Sequence, residues 1–202
     1  MLDSLTSTAQ PGALGAHGPS PRCDGALLAG WHPGLSILNL RGDPQDPAFR
    51  DGVFRALGLE LPVQACTSVA HATLRIVWAG PDDWFVIGPR GEAAALESQL
   101  RGELAGQHVS VTDVSGGYTV LHLSGRPVRD VLAQGCPLDL HPRAFGTGSA
   151  AGSLFFKASV WLWQTDDAPV YEVLVRSSFQ GYVWLMLERA TAECGLVHQR
   201  FL

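Results

Sequence analysis

LNLRGDPQDPAFRDGVFRALGLELP, Leu38–Pro62, has a counterpart further along the chain in LHLSGRPVRDVLAQGCPLDLHP, Leu121–Pro142. Both read as strand, glycine, proline, helix with an F/V-R-D step, glycine, and a leucine-rich exit to proline. In the first, LSILNL from Leu35 alternates like a half-buried strand, and Gly42 and Pro44 break it. Pro47 then opens a helix through Phe49, Val53, Phe54 and Leu57, which Gly58 ends. In the second, SGGYTVLHLSG is a strand ending at Gly125, Pro127 opens a helix through Val128, Val131 and Leu132, and Gly135 ends it. An offset of about 80 residues between two such passages points to an internal duplication.

The flanking sequence continues the parallel. After the first passage, LRIVWAGPDDWFVIGP predicts two short strands, Leu74 to Trp78 and Trp84 to Ile87, around a turn at Pro81 and Asp82, with a helix following from about Glu92 to Leu104. After the second, LFFKASVWLW and YEVLVR are the next strands, separated by the turn-like TDDAP, and a last helix runs from about Phe179 to Cys194. Each half is therefore a βαββα unit. The expected class is α+β, with helices packed on mostly antiparallel sheets. Residues 1–25, rich in Pro, Gly and Ser, read as an N-terminal tail; residues 26–202 form one domain, with repeats at about 26–106 and 107–202.

Composition narrows the function. A chain of 202 residues can bury a sizeable core. Its start lacks the basic and apolar regions of a secretory signal, and no run reaches the length of a membrane span, so a cytoplasmic protein is expected. A net charge of -5 offers no basic footprint for nucleic acid. Cys23, Cys66, Cys136 and Cys194 form no CxxC and read as reduced, mostly buried thiols. Only 16% of residues are charged, against about 25% in ordinary soluble domains, which suggests that part of the surface lies against another chain. VWLW, Val160–Trp163, is apolar at consecutive strand positions, so both its faces need cover. A helix of the same chain or a partner would supply the second cover, which makes Trp161 and Trp163 partner-interface candidates.

Catalytic signatures are missing where they would be sought. GTGSAAG, Gly146–Gly152, lacks the third glycine of a dinucleotide loop at the required step and leads into a strand. DVSGG around Ser115 places Asp113 where a nucleophile elbow needs glycine, and reads as a turn. The seven histidines show no HxH or HExxH spacing, so no metal site is read. His122, between Leu121 and Leu123, reads as a hydrogen-bonded structural histidine.

The run from Val111 to Gly152, followed by VYEVLVRSSFQGYVWLML, Val170–Leu187, closely resembles the gamma-subunit family of heterotetrameric sarcosine oxidase. The first half agrees through LRGDPQDPAFRDGVFRALGLELP and WAGPDDWFVIGP, so the resemblance covers nearly everything after the tail. It implies a fold similar to the folate-binding domain of glycine-cleavage aminomethyltransferases. In those relatives a strand glutamate helps hold tetrahydrofolate, and Glu172 occupies the comparable place, preceded by Tyr171 rather than Phe. Glu172 is the one folate candidate. The resemblance further implies a non-catalytic structural subunit, partnered by alpha, beta and delta subunits. That complex oxidises sarcosine to glycine, yielding hydrogen peroxide and formaldehyde or 5,10-methylenetetrahydrofolate. FAD, FMN, NAD, zinc and tetrahydrofolate are implied for the other subunits, and none for this chain. An independent folate-binding or aminomethyltransferase-like one-carbon protein is the alternative.

Overall fold

The computed structural model describes residues 25–201; apart from Gly25, the expected tail lies outside them. The first of the two matching passages folds as read. Strand β2, Ser36–Arg41, is followed by helix α1, Pro47–Leu57. Asp46 caps α1 by accepting a hydrogen bond from the Ala48 N–H, and Pro47 sits in the first turn, where its missing N–H costs nothing. Gly58 closes the helix in the left-handed region (φ 66°), donating its N–H to the Phe54 carbonyl. Phe49, Val53 and Leu57 recur on one buried face.

Around this passage lie β1, Leu27–Trp31; β3, Ser68–His71; β4, Leu74–Gly80; β5, Asp83–Gly88; α2, Ala93–Glu103; and β6, Ser110–Asp113. The second half follows the same order: β7, Tyr118–Ser124; α3, Val128–Ala133; β8, Ala150–Phe155; β9, Ala158–Asp166; β10, Val170–Arg176; α4, Gln180–Ala190; and β11, Leu196–His198. No helix among the described residues is long and apolar enough to cross a membrane.

The strands form a five-stranded antiparallel sheet, β3-β4-β5-β2-β6, and a six-stranded mixed sheet, β11-β1-β7-β10-β9-β8. Strand alternation sorts the core into three layers of packing. Leu38, Leu40, Trp84 and Val86 meet α1 and α2 on the outer face of the first sheet. Leu121, Leu123, Tyr171 and Val173 meet α3 and α4 on the outer face of the second. Their opposite faces pack together: Ile37, Val77, Phe85 and Ile87 against Val120, Ala150, Trp163 and Leu174. The order of layers is helix, sheet, sheet, helix.

Four expectations change. LFFKASVWLW is a hairpin rather than one strand: β8 and β9 turn at Phe156 and Lys157, with Phe156 at φ 53°. An all-apolar LFF hides the turn, because Phe156 is held there by packing against Gly135 and by donating its N–H to the Gly135 carbonyl. With β3, β6 and β11 added, each half holds more strands than a βαββα unit. The last helix ends at Ala190, where Thr191 turns its hydroxyl back to the Leu187 carbonyl. Sheet membership also crosses the division at residue 106: β6 pairs with β2 in the first sheet, and β1 inserts between β7 and β11 in the second. Neither strand is announced locally, since pairing with distant edges creates both.

Within the chain, the indole side of VWLW is covered by the facing sheet rather than by a helix. Val160 and Leu162 face the helices, while Trp163 is 2% exposed between the sheets. Trp161, partly buried on the same inner face, packs edge-on to Phe85 and Tyr118.

Candidate functional site

One cross-strand row of the second sheet builds a polar site. Ala150, Trp163, Glu172, His122 and Gly30 stand in register across β8, β9, β10, β7 and β1. Their neighbours Leu162, Val173 and Leu121 face the helices, so alternation turns Glu172 and His122 to the inner side. His32, just beyond β1, is tied in place by its own N–H donating to the Val120 carbonyl.

Three side chains converge there. His32 Nε2 lies 3.0 Å from Glu172 Oε2, and His122 Nδ1 lies 2.8 Å from Oε1, so each carboxylate oxygen is engaged by its own imidazole. The second ring nitrogen of His122 is 3.2 Å from Ser124 Oγ. Side-chain exposures of 22% for His32, 15% for His122 and 14% for Glu172 leave the group shielded but not sealed. Burial alone would raise the Glu172 carboxyl, but hydrogen bonds and charge from His122 and His32 outweigh it and hold the group below the usual carboxylate range. From β4 in the other sheet, Arg75 is near enough to interact with the Glu172 charge. It donates to Ser68 Oγ and lies over the Trp163 ring.

A glycine makes room for the cover. A Cβ on Gly30 would lie 2.1 Å from the Gln199 carbonyl oxygen and 2.9 Å from the Phe201 ring. With only hydrogen there, the chain end crosses β1, pinned by the Gln199 N–H donating to the Ala29 carbonyl. Phe201 then stacks on His32 at 4.3 Å between centroids and meets His122 edge-on at 5.3 Å.

Sequence reading singles out Glu172 as a folate candidate and gives His122 a hydrogen-bonded role; the structure joins the two by a hydrogen bond. It misses His32, Gly30 and Phe201, and the scattered histidines hide a pair that the fold brings together. A signal existed: His122 and Glu172 each sit between large apolar residues, which aims both away from the helices. Their adjacency, however, depends on β7 pairing with β10. Ser115 is a turn residue, hydrogen-bonded to Asp113 and to the Ile37 backbone. Cys136 and Cys194 are buried as expected, whereas Cys66 is exposed.

Two stacked sheets with helices on their outer faces define the class of fold. Aminomethyltransferase T of the glycine cleavage system from Bartonella henselae shares the fold at TM-score 0.65 and 12% identity, over 86% of this chain and 48% of that one. The chain belongs to the sarcosine oxidase gamma subunit family, whose model matches residues 41–193. Gamma subunits from an Arthrobacter species and from Corynebacterium strain P-1 are 38% and 36% identical over 65% of this chain. The match spans 64% of each relative's length. Among solved structures, heterotetrameric sarcosine oxidase from Corynebacterium sp. U-96, in complex with pyrrole 2-carboxylate, has a chain that superimposes at TM-score 0.77 and 28% identity. The likeness covers 83% of this chain and 84% of that one.

Proposed function

We propose that this chain is a structural gamma subunit of a cytoplasmic heterotetrameric sarcosine oxidase, contributing no reacting group. Its partners are the alpha, beta and delta subunits, which carry FAD, FMN, NAD and zinc and use tetrahydrofolate. The complex demethylates sarcosine to glycine with release of hydrogen peroxide and formaldehyde or 5,10-methylenetetrahydrofolate. The observation that carries this reading is the likeness to a chain of the solved heterotetramer over 83% of the length here. The common element order of the two halves supports a further part of it, descent from a duplicated unit within one domain.

Glu172 supports a structural assignment over a folate-binding one. Both its oxygens are engaged by imidazoles, and a ligand's donor would have to displace them. The test is co-expression with the three partners, followed by affinity capture through this chain. Stoichiometric recovery of the partners, with sarcosine-dependent peroxide formed by the complex and not by the chain alone, is the expected outcome. Stoichiometric flavin absorbance on the partner-free chain would overturn the reading. So would saturable submillimolar tetrahydrofolate binding that Glu172→Ala abolishes, which is the behaviour of an independent one-carbon protein.

A further inference from the structure

We propose that His32, His122 and Glu172 bind one first-row divalent cation, using His32 Nε2, His122 Nδ1 and a Glu172 oxygen as ligands. The inference is independent of the subunit's role in the oxidase. The three donor atoms lie within 4.8 Å of one another. Ligand bonds of about 2.0–2.1 Å in a tetrahedral shell put neighbouring donors about 3.4 Å apart, so the N···O contacts at 3.0 and 2.8 Å would open while donors nearer the 4.8 Å limit drew together. Two imidazoles and one carboxylate form a donor set of intermediate softness, suited to zinc, cobalt or iron(II) and ill suited to calcium or magnesium.

The surroundings fit a ligand site. Ring N–H protons donated to the carboxylate oxygens hold both short N···O contacts. A cation would replace them, with the ring protons moving to the outward nitrogens. His122 already has an acceptor for that proton, because Ser124 Oγ faces Nε2 at 3.2 Å. An outer partner of this kind orients histidine ligands generally. Phe201 stacked on His32 restricts water around the centre while its ring offers no competing donor. Arg75 is the opposing charge: it interacts electrostatically with Glu172 and lowers the site's affinity for a cation.

The experiment uses the full, untagged chain stripped with chelator and titrated with Zn²⁺ against a chromophoric competitor, in parallel with Co²⁺ followed by visible absorption. One saturable equivalent is expected, with a Co²⁺ ligand-field band. Glu172→Gln, His122→Ala and His32→Asn should each weaken uptake by more than about tenfold, a loss that outer-shell changes alone can reach. His32→Asn, at the more exposed corner, keeps the test decisive if the Glu172 variant fails to fold. Arg75→Met is expected to tighten binding. Lack of saturable uptake by the unaltered chain up to submillimolar metal would overturn the proposal. Unchanged affinity in His32→Asn would do so as well, since the metal would then sit elsewhere.

Discussion

Asp113 and Ser115 show how a turn sets a local charge. Asp113 accepts hydrogen bonds from the Ser115 hydroxyl and backbone N–H, and these hold its carboxyl below the ordinary value although it is exposed. A carboxyl lowered on folding adds stability above its unfolded pKa, and the contribution is lost as pH falls through the folded value. Here solvent screens the effect, so the shift itself is the better observable. Carboxyl carbon NMR should find Asp113 titrating below an exposed aspartate, and Ser115→Ala should return it part of the way. The tryptophans divide differently. Trp163→Ala empties the space between the sheets and should cost about 3–5 kcal/mol by denaturant melts. Trp163→Phe should cost less, since the indole N–H has no acceptor among the described residues. Trp161→Ala should destabilise less than Trp163→Ala; if it also weakens assembly while the fold stays intact, the partly exposed indole meets a partner.

Among the elements, β1 is the least predictable and the most consequential. It carries Gly30, and His32 follows it, so its insertion between β7 and β11 both brings a second imidazole to Glu172 and seats the chain end. Substituting Gly30 by Val sets carbon against the Gln199 carbonyl, and backbone cannot swing aside as a side chain can. We expect faster amide exchange from Leu196 to Phe201 in Gly30→Val, with α1 and the first sheet unaffected. Uniform acceleration throughout the chain would show instead that β1 pairing is needed for global stability. α1 is the contrasting case: its cap, its proline and its closing glycine are contiguous in sequence and were legible there.

For the whole molecule, the low charged fraction meets a surface on which Phe54, Val63, Leu154, Phe179 and Leu185 are exposed. Large apolar side chains at the surface become a liability when their cover is missing. The subunit expressed alone is expected to self-associate in light scattering, and co-expression with its partners should raise its melting temperature, because binding only to the folded form stabilises it. A monodisperse monomer at high concentration with an unchanged melting temperature would refute the argument from composition.

Local chemistry was enough for the sequence to determine the α+β class, the helices opened by Pro47 and Pro127, the strands with period-two alternation and the family resemblance. The helices and strands among these depend on neighbours within a few residues, where propensity and capping act, and the class and the resemblance follow from their order along the chain. The tertiary structure alone decided the rest: which sheet β1 and β6 joined, that a hairpin broke LFFKASVWLW at Phe156, and that His32, His122 and Glu172 met. Residues 32, 122 and 172 are far apart along the chain, and cross-strand pairing alone makes them adjacent. Pairing is chosen by burying whole faces against helices and against the other sheet, a selection in which no single short segment carries the deciding energy.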